Sequence, residues 1–275
     1  MSAVPSLTEF ENAAQSLAEV ITRTPTLPSR ALSDVLGAPV VLKMENLQRT
    51  GSFKIRGSAY RLSQLSAEER SRGVVAASAG NHAQGVALAA QTLGIQATIF
   101  VPLGIPVPKL LATRSYGAEV VLEGETVATS LRLAAEFAER TGAVIIHPFD
   151  HRDVVIGQGT LGLELLEDAP DVDTIVLGIG GGGLIAGVAA AVKAKAAELG
   201  RSVRIIGVQA ENAAAMIPSL EAGYPVDIET KPTIADGILV ARPGAIPFEI
   251  IKDLVDEVLD AVSYTHLTLP TILLV

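Results

Sequence analysis

Four consecutive glycines, Gly180 to Gly183, interrupt an uncharged run from Thr174 to Val192 (TIVLGIGGGGLIAGVAAAV). The run approaches the roughly 20 residues that a membrane-spanning helix needs. Each glycine costs a helix about 1 kcal/mol relative to alanine, so the run reads instead as a buried strand, a glycine turn and a buried helix. Such a turn has a chemical consequence. Backbone N–H groups close on an anion, and the helix N-terminus adds partial positive charge. A phosphate group is the natural ligand. The stretch also satisfies G-x-G-x-x-G through Gly178, Gly180 and Gly183, so a dinucleotide site competes. That site wants an acidic residue about 20 positions on, and Glu211 lies well beyond that spacing. Tight packing of a helix on a sheet is the third reading.

The rest of the chain alternates in the same way. A second neutral zone, Gly73 to Pro108, has no Asp, Glu, Lys or Arg and reads as interior. Strand patterns at 74–78, 97–102, 118–123 and 143–148 are separated by helical ones at 80–94, 108–117 and 126–142. Another alternation starts at 174. Strands alternating with helices imply parallel sheets with helices on their faces. The expected class is α/β, with two parallel-sheet domains and a cleft between them. The last residues, SYTHLTLPTILLV (263–275), end on an apolar run with no partner element. They are expected to be a non-native tail, and a fold that stops there would leave a strand uncovered.

Composition removes several function classes. The chain has 275 residues, 21 Lys plus Arg against 30 Asp plus Glu, and a net charge of −9, which disfavours nucleic acid as a partner. It has no Cys, which removes disulfides, thiolate metal sites and cysteine nucleophiles. The start MSAVPSLTEF has neither a basic nor an apolar signal region. A cytoplasmic protein with no membrane partner is expected.

Two further motifs carry chemistry. Ser78-Ala79-Gly80-Asn81-His82 sits where a strand meets the next helix, the end of an α/β sheet at which ligands bind. Small residues, an amide and an imidazole there suit a carboxylate and a ring, although an ordinary helix cap explains Ser78 and Asn81 equally. Lys54 lies in Thr50-Gly51-Ser52-Phe53-Lys54-Ile55-Arg56-Gly57 near a helix start. A lone lysine is normally a surface charge, but one placed in a pocket can lose its proton and form a Schiff base.

Together these motifs make the chain resemble the fold type II pyridoxal-phosphate enzymes, the tryptophan synthase β-like group, and within it the threonine/serine dehydratases. The resemblance covers about Pro25 to Ala261. It rests on KMENLQRTGSFKIRGS (43–58), SAGNHAQG (78–85), HPFD (147–150), GQGT (157–160), GIGGGGLIAG (178–187) and TIADGI (233–238). It implies that pyridoxal 5'-phosphate is held covalently by Lys54 beside Phe53. Asn81 would bond the ring hydroxyl, Gly180, Gly181, Gly182, Gly183 and Leu184 would hold the phosphate, and Gly237 would lie along the ring. Ser78, Ala79, Gly80 and His82 would bind the substrate carboxylate. Residues 1–68 and 152–262 would form the larger, cofactor-binding domain and 69–151 a smaller mobile one.

The implied activity is conversion of L-threonine to 2-oxobutanoate and ammonia, and of L-serine to pyruvate, in amino-acid metabolism such as isoleucine biosynthesis. A homodimer or homotetramer is expected. Serine racemases compete most closely, but they carry a second serine where this chain has Ala79, and Ala215 and Met216 fall where their metal ligands are wanted, so no metal is expected. A nicotinamide-dependent oxidoreductase and an inactive truncated fragment also stay open. Family members continue with a Ser or Thr for the pyridine nitrogen, and neither Ser263 nor Thr265 has the surrounding glycine pattern.

Overall fold

The computed structural model describes residues 4–78, 80–104 and 107–262. The expected tail, 263–275, lies outside them, as does Ala79. The chain opens with helix α1 (Leu7–Leu17) and a short antiparallel ribbon, β1 (Thr26–Pro28) against β2 (Val41–Lys43), with α2 (Arg30–Leu36) between its strands. Helix α3 (Lys54–Ser63) follows. Ser66 then opens α4 (Ala67–Arg72) through a reciprocal capping box with Glu69.

The first parallel sheet alternates β3 (Val74–Ala77), α5 (Asn81–Leu93), β4 (Ala97–Val101), α6 (Val107–Ser115), β5 (Glu119–Leu122), α7 (Val127–Thr141) and β6 (Val144–Ile145). Every residue of β3 and β4 is buried, which is why both read as continuous apolar runs. Thr126 caps the start of α7, and Gly142 ends it in the left-handed conformation. The spatial order is β5-β4-β3-β6. The chain therefore reverses direction across the sheet at β3, and the Ser78–His82 loop leaves the carboxyl end of that strand. Such a switch point is where open α/β sheets bind ligands.

Helix α8 (Arg152–Asp168) leads to the second sheet, β7 (Thr174–Gly178), α9 (Gly183–Glu198), β8 (Arg204–Ala210), α10 (Met216–Ala222), α11 (Ala245–Leu254) and β9 (Glu257–Ala261), in the order β7-β8-β9. The uncharged run 174–192 is thus a strand, a turn and a buried helix. Among the described residues no helix is long and apolar enough to cross a membrane. One face of this sheet is buried at Ile175 and Ile205, and on it Gly207 lies against Ile185 of α9. On the other, Val176 and Leu259 are exposed.

Helices α8 and α9 meet backbone to backbone. A methyl added at Gly187 would lie 2.2 Å from Val155 O, and one added at Gly159 would lie 2.3 Å from the Phe10 ring and 2.7 Å from Gly187 O. A backbone carbonyl inside a helix has no room to yield, so the two helices would have to separate. Gly187→Ala gains about 1 kcal/mol of helix propensity and still destabilises, by about 1–3 kcal/mol net. A urea melt with an unchanged slope and a lower midpoint is the expected result.

Candidate active site

Lys54 begins α3, and the turn before it sets its direction. Gly51 takes a left-handed backbone (φ 72°), and the Lys54 amide donates to Ser52 Oγ (3.4 Å). The Lys54 ammonium donates to Pro148 O (3.0 Å) and lies 5.3 Å from the centre of the Phe53 ring. Burial of this charge lowers its pKa from the ordinary 10.5 to about 8. Half of the side chains are then free amine at about pH 8, which a surface lysine never approaches.

The Pro148 carbonyl belongs to a bend that links Lys54 to the glycine loop. His147 Nδ1 accepts the amides of Phe149 (3.3 Å) and Asp150 (2.8 Å). Phe149 then lies flat against the loop. A methyl added at Gly181 would meet its ring at 2.4 Å, and one at Gly183 would meet Phe149 Cβ at 2.9 Å. Gly182 is left-handed (φ 96°) and caps α9. From the other side Gly244 donates its amide to Gly181 O (3.0 Å), Ile246 donates to Asp150 Oδ1 (2.9 Å), and Ile238 Cα approaches Gly180. The glycines are therefore needed partly because neighbours occupy their side-chain positions, as the packing reading requires. The amides of Gly182, Gly183 and Leu184 nevertheless donate to no protein acceptor among the described residues. They open a helix of 16 residues, where free N–H groups are available to an anion.

The remaining sequence-predicted residues divide. Ser78 Oγ accepts the Gly80 amide (3.1 Å), and open space adjoins both Gly80 and Gly237. Asn81 is exposed at the first position of α5. One turn later Gly85 lets α5 approach the start of α3, where an added methyl would lie 3.1 Å from Lys54 C. His82 turns the other way. It is buried, and its Nε2 donates to Ile146 O (2.8 Å). Burial, then the nearby Lys54 charge, lower its pKa to about 3, so the ring is neutral and ties α5 to the residue that follows β6. Pro148 and His147 received no role from the sequence. The signal for them was available, because HPFD follows β6 at the same end of the sheet as Ser78–His82.

The profile of pyridoxal-phosphate-dependent enzymes matches residues 17–265 of this chain. The chain belongs to that family. Among curated members of the pyridoxal-phosphate family it is 52% identical over 252 residues to the L-threonine ammonia-lyase of Thermotoga maritima, covering 92% of this chain and 62% of that protein. The chain thus spans about three fifths of that relative's length. It superposes on the processed threonine deaminase isoform 2 of Solanum lycopersicum with a TM-score of 0.88 at 39% identity, over 93% of this chain and 74% of the other. Maize serine racemase gives a TM-score of 0.89 at 35% identity, over 94% and 78%. The family's architecture is the α/β arrangement described above, and the dinucleotide reading of Gly178, Gly180 and Gly183 is left without support.

Proposed function

We propose that this chain carries the catalytic region of a pyridoxal-phosphate-dependent threonine/serine dehydratase. The observation that carries the reading is the junction of Lys54, the 147–150 bend and the glycine loop. The residues suit pyridoxal phosphate. The amides of Gly182, Gly183 and Leu184, which have no acceptor among the described residues, match a phosphate, a lysine with a lowered pKa matches an aldehyde, and no described atom crowds the side-chain positions of Gly80 and Gly237. On this reading Lys54 and Phe53 hold the cofactor. Gly180 to Gly183 and Leu184 take its phosphate, Asn81 takes its hydroxyl, and Gly237 flanks its ring. When bound, the cofactor supplies an electron sink for the α-carbon of an amino acid.

The chain's own residues supply the rest. Lys54 Nζ, whose burial favours the neutral amine, would take the α-proton of the substrate. Ser78, at the β3 switch point and itself held by the Gly80 amide, offers its hydroxyl to the substrate carboxylate. Loss of the β-hydroxyl and hydrolysis give ammonia and a 2-oxo acid. The two separate sheets support a division into a larger body, 1–68 and 152–262, and a smaller one, 69–151, with the site where they meet.

The likeness to serine racemase keeps racemisation as a second reading. Racemisation needs a proton donor on the face opposite Lys54, and at position 79 this chain has alanine where the racemases resembled above have serine. Elimination needs no such donor. Incubated with pyridoxal phosphate and L-threonine, the chain is expected to release 2-oxobutanoate and ammonia in equal amounts. Folded, cofactor-loaded protein that releases neither, or that makes D-serine from L-serine faster than pyruvate, would overturn the dehydratase reading.

A further inference from the structure

His147 lies one residue before the carbonyl that receives Lys54, and its ring is placed by three contacts. Nδ1 accepts two successive amides, from Phe149 and Asp150, so the ring proton sits on Nε2. The ring also packs edge-on against Phe149, with centres 4.7 Å apart and planes at 90°. Between the two bonded amides and the histidine stands Pro148, whose ring restricts φ and so narrows the directions its carbonyl can take. The bend has two products. One is the Pro148 oxygen, 3.0 Å from Lys54 Nζ. The other is the Phe149 ring, set against Gly181 and Gly183.

We propose that His147 is a positioning residue that acts through Nδ1. Its two accepted bonds hold the bend that keeps Lys54 in its buried place and Phe149 against the glycine loop. The imidazole must be neutral to do this, because a protonated Nδ1 has no lone pair for either amide. The groups around it favour the neutral form on balance. Burial is the largest influence; Lys54 on α3 and His151 on the same segment add like charge, and Asp150 opposes them. His82 on α5 feels the same ring and is itself neutral. The importance of this placement for cofactor capture rests on the reading of Lys54 above. The placement of the amine itself does not.

The test is the pH profile of Lys54 acetylation by dilute acetic anhydride, read by peptide mass mapping on the 275-residue chain without cofactor. Wild type is expected to titrate with a midpoint of about 8. His147→Leu keeps an apolar side chain against Phe149 and lacks the acceptor. Its midpoint is expected to rise by one pH unit or more, so that the free-amine fraction at pH 8 falls about fivefold. His147→Asn is smaller, but its Oδ1 can accept the amide two residues on. It is expected to keep the wild-type midpoint. If packing rather than the acceptor held the bend, the order of the two variants would reverse, and that result would overturn the proposal. An unchanged midpoint in folded His147→Leu would do the same. Should His147→Leu fail to fold, His147→Phe, which keeps an aromatic ring against Phe149 and lacks the acceptor, takes its place: a raised midpoint supports the role and a wild-type one overturns it. A wild-type Lys54 that titrates near 8 yet captures no pyridoxal phosphate would remove the cofactor reading and leave the role of His147 standing.

Discussion

Lys54→Met is expected to abolish covalent capture of pyridoxal phosphate and, near neutral pH, to make the cofactor-free protein more stable. Both effects follow from one placement. The amine is buried beside Phe53 and donates its hydrogen bond to Pro148 O, and burial holds its pKa at about 8 against an ordinary 10.5. At about 1.4 kcal/mol per pKa unit, the charged amine destabilises the folded state by at most about 3.5 kcal/mol. The penalty is fully present below pH 8, where the folded protein must bury an ammonium. It fades as pH rises toward 10.5, where the unfolded chain loses the same proton. Methionine has similar length and no charge, so the variant should melt at higher urea at pH 6.5 and match wild type near pH 11. Borohydride reduction after incubation with pyridoxal phosphate should leave a pyridoxyl group on the Lys54 peptide of wild type only. Capture that persists in the variant would place the cofactor on another lysine. A gain in stability that does not shrink with rising pH would mean that packing, not charge, sets it.

The sequence made the sheets legible because their strands announce themselves. Val74–Ala77 and Ala97–Val101 are buried on both faces and carry no charge, and the helices between them end at glycines. Lys54 and the glycine loop were legible for a different reason, since each sits in a motif whose chemistry is local. Elements that depend on contact between distant segments were not. The β-rich run VVLKM (40–44) marks the strand Val41–Lys43, but its partner Thr26–Pro28 is too short and too exposed for an alternation to show. His82 read as part of the loop after β3 but stands in the first turn of α5, and its ring bonds Ile146, 64 positions away. The 147–150 bend gains its meaning only when α3 and the turn before α9 are brought to it. Charged residues are the hardest case, because a sequence gives every reason to place them in solvent.

Arg56 is that case, and its replacement is expected to have the largest effect on stability. It is fully buried two residues after Lys54, and all five of its N–H groups are used. Nε and Nη2 reach Glu45 (2.9 Å each), Nη1 and Nη2 reach Glu164 (2.7 and 3.0 Å), and Nη1 also reaches Thr160 Oγ1 (3.3 Å). Lys43 joins the same Glu164 at 2.8 Å, and Thr24 donates to Glu45. The cluster fastens the ribbon and the start of α3 to α8. Burial alone would raise the pKa of Glu164, but the bonds and charges of Arg56 and Lys43 outweigh it and hold the carboxyl below 4.5. Arg56→Met leaves two carboxylates buried with half their partners, and breaking a buried pair in this way costs about 3–5 kcal/mol. Arg56→Lys should recover only part of that, because an ammonium cannot bridge two carboxylates with a planar fork. The pH dependence has a definite sign. Glu164 contributes stability above the ordinary carboxylate range and loses it as pH falls through its lowered folded pKa. The deficit of Arg56→Met should therefore be complete at pH 7 and shrink in acid, as the abandoned carboxyl takes up a proton. Because α3 carries Lys54 at its first position, the same variant should also lose part of its capacity to capture pyridoxal phosphate while still folded in low urea. Equal urea midpoints for wild type and Arg56→Met would show that this network orders the structure without stabilising it, and the start of α3 would then have to be held by its packing on α5 and α8 alone.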